Sequence, residues 1–244
     1  MRAILFDFGG TLDSPRHWLD RFLAYYRAAG YQLSRSELDR AFDAATRIAY
    51  RSAAQLREYR LGELIPYLVG LQLVFLRDQD GVSATRSKID LNDPAVVRSL
   101  TDRISGSFIR ESQAGLAHSR TVLAALAGRF RLGVVSNFYG NLDYILKEAG
   151  FDGIISTIAD SGRLGIYKPD LRIYEAALSA MGVDAREALM VGDSLDKDCA
   201  PARRLGMRTA WLRHREALSP EDLLPADFTI SALDELKDVI CRIG

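Results

Sequence analysis

Between Trp18 and Ser112 every segment with a readable period is helical, while the chain on either side of it carries strands. "AILF" (3–6) is a short apolar run closed by Asp7 and glycines, the pattern of a strand buried in a parallel sheet. "HWLDRFLAYYRAAG" then sets Trp18, Phe22, Tyr25 and Tyr26 at helical spacing and stops at Gly30. "SRSELDRAFDAATRIAY" opens on Ser34 with Glu37 three residues on, a capping-box pattern. Pro66 suits the first turn of the apolar helix "IPYLVGLQLVFL" (65–76), and "GVSATRSKIDLN" (81–92) reads as a loop. Asp93 and Pro94 supply an N-cap and a first helical residue to "DPAVVRSLTDRISGSFI". Beyond residue 115 the rhythm changes. "RTVLAALAGRF" is helical, "RLGVVS" a strand, "NLDYILKEAG" a helix and "GIISTI" a strand. "PDLRIYEAALSAMG" is a helix, "EALMVG" a strand, "DKDCAPARRLG" a helix and "RTAWL" a strand, before "DFTI" and "SALDELKDVICRI" close the chain. Such alternation demands right-handed crossovers and a doubly wound parallel sheet. A structureless loop of roughly a hundred residues inside such a core is improbable, so the insert reads as a helical domain of its own. Its expected hinges are "DSPR" (13–16) and "SQAGLAHS" (112–119).

The bulk numbers exclude several functions. Lys+Arg and Asp+Glu are 32 each, so no strong field draws the chain to nucleic acid or to a membrane surface. The longest apolar segment, residues 65–76, is far short of the ~20 residues of a membrane span. "MRAILFDFGG" meets Asp7 too soon for a signal peptide. Cys199 and Cys241 have no metal-ligand spacing and suggest no disulfide framework, which fits a reducing, cytoplasmic setting. His17, His118 and His214 are scattered without zinc spacing. Nothing in the sequence decides between a monomer and a homodimer.

In an open α/β sheet, ligands bind beyond the carboxyl ends of the strands. Asp7 and Thr11 follow the first strand, Ser136 and Asn137 the second, and Asp193, Ser194 and Asp198 follow "ALMVG". Lys168 stands in "LGIYKPD" between them. Three carboxylates converging on one rim would repel one another, and a hard divalent cation relieves that; few protein oxygens suit Mg²⁺. With a lysine, a hydroxyl and backbone N–H groups for anionic oxygens, the set reads as a phosphoryl-transfer site with a carboxylate nucleophile. Plainer roles exist for each residue. Asp7 could cap a turn, Ser136 and Asn137 a helix, Asp198 could be a first-turn acid, and Thr11 could pack behind the loop.

"DFGGTL", "VVSN", "KPD" and "GDSLDKD", in that order and each placed after a strand, resemble the four motifs of the haloacid dehalogenase superfamily across residues 3–213. The resemblance implies a Rossmann-like core, residues 1–14 and 116–244, with an inserted helical cap of the C1 type, residues 15–115. It implies Asp7 as nucleophile, Thr11 and Ser136 as orienting hydroxyls, and Lys168 pinning Asp7 and the phosphoryl oxygens. Ser136, Asn137, Thr11 and Lys168 would bind the phosphate. Mg²⁺ would sit on Asp7, the Gly9 carbonyl, Asp193 and Asp198, with Asp198 a ligand or an outer carboxylate. The substrate implied is a small phosphorylated metabolite.

Gly9 departs from the pattern. Phosphatases of that family usually carry Asp two residues past the nucleophile, to protonate the leaving group and activate water. General acid–base catalysis is worth roughly 10²–10⁴-fold, about 3–5 kcal/mol, so its loss predicts a slow or leaving-group-selective enzyme rather than a dead one. Asp13 or His17 could supply the proton instead. Two further readings stay open. A dehalogenase needs no proton for halide, with Arg16 or Arg21 as halide cradle, although the pair Asp193 and Asp198 argues against it. A phosphate-binding module without turnover is the other. A Schiff-base reading would have to use Lys88, the only lysine of the insert.

Overall fold

The computed structural model describes residues 1–80, 89–213 and 226–243. Lys88, His214 and most of the loop expected at 81–92 lie outside the described residues. The elements are β1 (Ala3–Phe6), α1 (Trp18–Ala28), α2 (Arg35–Arg51), α3 (Ala53–Leu56), α4 (Leu61–Asp80) and α5 (Pro94–Ala127). There follow β2 (Arg131–Ser136), α6 (Leu142–Glu148), β3 (Thr157–Asp160), α7 (Ser161–Leu164) and α8 (Leu171–Met181). The chain ends with β4 (Ala188–Gly192), α9 (Ala200–Arg204), β5 (Arg208–Leu212), β6 (Phe228–Ile230) and α10 (Leu236–Ile243).

All strand pairs are parallel and the order is β3-β2-β1-β4-β5-β6. The chain winds outward from β1 to β3, then crosses back to β4 and winds the other way. The reversal places a crevice at the carboxyl end of β1, where such sheets bind ligands. Side chains of β1 alternate between two apolar layers. Ile4 and Phe6 join the layer shared with α5, α6 and α10, and Ala3 and Leu5 the layer shared with α8 and α9. None of the helices among the described residues is long and apolar enough to cross a membrane.

The helical caps read from sequence form as expected. Ser34 Oγ accepts from Glu37 N–H while Glu37 Oε2 accepts from Ser34 N–H, and Asp93 Oδ1 accepts from Ala95 N–H at 2.8 Å. Pro66 differs, because α4 starts at Leu61 and holds it inside. Glu63 caps the Arg60 N–H at 2.9 Å, and burial of Leu61, Leu64, Ile65, Leu68 and Val69 carries the helix across the proline. The strand expected at "GIISTI" begins only at Thr157, since the N–H groups of Ile154 and Ile155 turn back onto Phe151 O. The helix expected at "DKDCAPARRLG" is split into a π-turn, Leu195–Cys199, and α9.

The larger correction concerns the hinge expected at 112–119. That segment is the middle of α5, a 34-residue helix about 50 Å long, which runs unbroken through residue 115. Leu100, Ile104, Phe108, Ser112, Leu116, Ser119, Leu123 and Leu126 make one buried stripe, and small polar residues in it do not break the period. Ser119 Oγ donates to Leu12 O at 2.7 Å, and a Cβ on Gly115 would collide with the Asp13 carbonyl. Gly115 is thus an approach point for the Asp7–Ser14 loop within a continuous helix. The same helix packs against α1, α4 and β2, so one rod serves the helical insert and the sheet.

Two mid-helix glycines give a matched test. Gly70→Ala in α4 meets open space and is expected to stabilise by about 0.5–1 kcal/mol. Gly115→Ala is expected to destabilise by about 1–3 kcal/mol through overpacking on the Asp13 carbonyl. Urea denaturation of both variants reads the difference in sign.

Candidate active site

Asp7 follows β1 directly and is fixed there by its N–H, which donates to Val191 O of β4 at 2.9 Å. Two donors converge on its Oδ1: Ser136 Oγ at 2.9 Å, from the end of β2, and Lys168 Nζ at 2.7 Å. Lys168 Nζ also donates to Asp198 Oδ1 at 2.7 Å, and Asp198 Oδ2 accepts from Ser194 N–H at 3.0 Å. Asp193, just past β4, completes the cluster; one carboxylate oxygen each of Asp7, Asp193 and Asp198 lie within 4.8 Å of one another. Glycines permit this crowding. The Asp198 carboxyl packs where a Gly192 Cβ would stand, and a Cβ on Gly10, whose φ is +84°, would be 2.5 Å from Asp193 Oδ2.

Burial sets the electrostatics. It pushes the Asp193 carboxyl well above the usual range, and the Asp7 and Asp198 charges push it further. Burial also lifts Asp198, to about 6, against the opposing pull of Lys168. Burial alone would lower Lys168, but Asp198 and Asp7 overcome it and hold the ammonium above its ordinary value.

Several residues aim this set. The side chain of Asn137 is engaged with the Lys168 backbone: Oδ1 accepts from Lys168 N–H at 2.7 Å and Nδ2 donates to Lys168 O at 3.0 Å. Trp211 Nε1 of β5 donates to Asp193 O at 3.0 Å. Asp160, which sequence reasoning missed, accepts from the N–H groups of Gly140, Leu142 and Gly162 and so pins the loop after Ser136. Thr11 Oγ1 is buried with no hydrogen-bond partner among the described residues.

On the other side of Asp7 lies a second buried polar knot. Asp13 and Arg21 are fully buried and paired at 2.6 Å. Asp13 Oδ1 accepts from Gly10 N–H at 2.9 Å, and Oδ2 from Trp18 Nε1 at 2.8 Å and Ser112 Oγ at 3.2 Å. Arg21 Nη2 donates to Phe108 O and Ser112 Oγ, and its guanidinium lies 3.7 Å from the Phe108 ring centroid. This corrects two expectations. Asp13 is enclosed by its partners and is no relocated acid–base group, and Arg21 holds Asp13 rather than facing a halide. Arg16 is exposed and pairs with Glu111 at 3.1 Å. His17 is exposed and caps α1, its Nδ1 accepting from Leu19 N–H at 3.2 Å.

Two buried carboxylates and one half-buried one, Asp193, against one ammonium form an oxygen-only, net-negative donor set, and a hard divalent cation fits it. Together with the capped, doubly wound sheet, a strand-end carboxylate paired to a buried lysine defines a carboxylate-centred α/β hydrolase site. The family model of the haloacid dehalogenase-like hydrolases matches residues 1–206, and the chain belongs to that family. It is 29% identical over 244 residues to haloacid dehalogenase-like hydrolase domain-containing protein 3 of Danio rerio, covering 97% of this chain and 95% of the relative. It is 31% identical over 122 residues to a glyceraldehyde 3-phosphate phosphatase of Methanocaldococcus jannaschii, covering 50% of this chain and 54% of that protein. A solved dehalogenase with an intermediate complex superposes with a TM-score of 0.63 at 18% identity, over 98% of this chain and 96% of that one, a likeness of fold.

Two outcomes are expected. Because the folded state raises the carboxyls of Asp193 and Asp198, it favours their protonated forms. Their contribution to stability without metal falls as pH rises from the ordinary carboxylate range through about 6 for Asp198. A cation needs the ionised forms, so Mg²⁺ is expected to raise the melting temperature more at about pH 8 than at about pH 5. Asp13→Asn, which strands the buried Arg21 charge, is expected to cost about 3–5 kcal/mol in chemical denaturation.

Proposed function

We propose that this hydrolase is a Mg²⁺-dependent phosphatase acting on a small phosphorylated metabolite through an aspartyl-phosphate on Asp7. The observation that carries the reading is the bridge of Lys168 Nζ between Asp7 and Asp198, at 2.7 Å to each, beside the three-carboxylate cluster. Both donors to Asp7 fall on Oδ1, so Oδ2 is the oxygen left to attack. Its attack on phosphorus forms the Asp7–phosphoryl bond as the bond to the leaving oxygen breaks, and the electron pair departs with that oxygen. Water then attacks phosphorus, the bond to Oδ2 breaks, and inorganic phosphate and the free carboxylate are released. Lys168 keeps its proton and supplies fixed positive charge to the phosphoryl oxygens. Ser136 holds the nucleophile in place, and Thr11 Oγ1 has a donor to offer an anionic oxygen. A Mg²⁺ held by Asp7, Asp193, Asp198 and the Gly9 carbonyl would supply charge neutralisation at the phosphoryl group. The helical residues 15–115 act in this reading as the cap that excludes water and reads the leaving group. The partial match to a glyceraldehyde 3-phosphate phosphatase supports phosphomonoester chemistry.

Dehalogenation is the second reading, favoured by one observation: the residue two past Asp7 has no side chain. The acidic pair Asp193 and Asp198 weighs against it, since halide displacement needs no cation. A panel of phosphate esters with Mg²⁺ tests both. Asp7→Asn is expected to lower phosphate release by roughly 10⁴-fold or more. Lys168→Ala is expected to lower it by roughly 10²–10³-fold. Halide release from a 2-haloacid without Mg²⁺, lost in Asp7→Asn, would replace the phosphatase reading with the dehalogenase one.

A further inference from the structure

We infer that Trp18 occupies the space an acid–base side chain at residue 9 would need, and that it makes the site selective for phosphoryl compounds whose leaving oxygen departs without a proton. This rests on the phosphatase reading of Asp7 and deepens it, because it names the substrate class. A Cβ built on Gly9 lies 3.1 Å from Trp18 Nε1, 3.3 Å from its Cδ1 and 3.6 Å from its Cε2. A Cβ fits there only if the indole yields by a few tenths of an ångström, so any side chain at residue 9 crowds the Trp18 ring. Gly9 is therefore matched to Trp18, a residue of the helical insert.

The indole is held firmly. Its Nε1 donates to Asp13 Oδ2 at 2.8 Å, and Asp13 is held in turn by Arg21 at 2.6 Å and by Gly10 N–H at 2.9 Å. Its ring meets Phe108 edge-on at a centroid distance of 4.9 Å and Phe138 at 5.8 Å. Phe138 lies two residues past Ser136, so the indole touches both the insert and the loop that carries Ser136.

With Asp193 and Asp198 given to the cation, the remaining groups around Asp7 offer no acidic proton for a leaving alkoxide. Asp13 has both oxygens engaged behind the indole. Lys168 is shared between two carboxylates. Trp18 gives its one N–H to Asp13. His17 is the competing candidate at the rim, with its Cα 3.4 Å from where a Gly10 Cβ would stand. Without a proton donor, the barrier follows the basicity of the leaving oxygen. Carboxylates, enolates and phenolates depart; alkoxides do not. The substrates expected are acyl, enol or aryl phosphates.

The test measures kcat/KM with Mg²⁺ across substituted phenyl phosphates of graded acidity, acetyl phosphate and ethyl phosphate. Turnover of ethyl phosphate is expected to fall about 10²–10⁴-fold below that of the acidic members, the range a general acid is worth. Gly9→Asp alone is expected to give no gain on ethyl phosphate. In a Trp211→Phe background, where Trp18 is the single indole, it is expected to shift the tryptophan emission. Gly9→Asp with Trp18→Ala is expected to turn over ethyl phosphate at least about tenfold faster than Trp18→Ala alone. A flat dependence on the leaving group in the wild type would overturn the inference and leave the phosphatase reading standing. So would a His17→Gln variant that loses ethyl phosphate turnover but keeps the aryl esters, since His17 would then be the acid. Emission unmoved by Gly9→Asp would overturn the steric argument independently of activity, and if Trp18→Ala does not fold, the wild-type series and that emission decide. No phosphate from any compound would overturn the phosphatase reading itself, and the inference with it.

Discussion

Three carboxylates with oxygens within 4.8 Å of one another cannot be buried at the end of a sheet without compensating charge, and Lys168 supplies it. Its ammonium touches two of the three, from a loop between α7 and α8 that is far from Asp7 in sequence. Much of the neighbouring structure maintains that contact. Asn137 grips the Lys168 backbone at both its N–H and its carbonyl, and Asp160 grips the loop that carries Asn137. Gly192 leaves room for the Asp198 carboxyl, and Ser194 gives it a backbone donor. Burial, with the remaining negative charge, keeps the carboxyls of Asp193 and Asp198 high, which is the condition a divalent cation relieves.

The Asp13–Arg21 knot does for the helical insert what Lys168 does for the strand ends. It ties the loop after Asp7 to α1 and, through Ser112 and the Phe108 carbonyl, to α5. Removing one partner from such a buried pair is costly, whereas the pair itself adds little net stability. Its value here is geometric, since it fixes the Trp18 indole beside Gly9.

What could be read in the sequence follows from locality. Asp7, Ser136 and Asp193 stand immediately past apolar runs, and a parallel sheet brings such positions to one edge whatever the tertiary detail. Lys168 and Asp198 were legible through motif spacing. The unread parts depend on contacts between distant segments. Arg21 reads as a candidate halide cradle until Asp13 and Phe108 are seen around it. The segment 112–119 reads as a hinge because the Asp13 carbonyl that Gly115 accommodates lies about a hundred residues away. Asn137 carries the right groups for phosphate, and only the loop holding Lys168 reveals what its amide meets. Trp18 sits at core spacing in α1, so nothing local marks it as a neighbour of Gly9.

The two edges of the helical insert are held unequally, which bears on how a ligand reaches Asp7. On the α1 and α5 side the contact is a fully buried ion pair whose carboxylate also accepts from Trp18 Nε1 and Ser112 Oγ, with the Trp18 ring packed on Phe138 at 5.8 Å. On the α2 side the insert meets the core through Tyr50, whose ring lies 5.2 Å from Tyr139 and 4.9 Å from Tyr167, and through a long 3.4 Å hydroxyl contact between Thr46 and Tyr139. Tyr167 is exposed and adjoins Lys168, so this edge borders the lysine and is already partly in water. Separation there breaks ring contacts worth about 0.5–1.5 kcal/mol each, the Asn141 Nδ2–Tyr59 O hydrogen bond at 2.7 Å and the exposed Arg60–Glu148 pair at 3.5 Å. With α5 unbroken beneath both units, the α2 edge is the one that includes exposed partners, and it lies on the side of Lys168 rather than of Trp18.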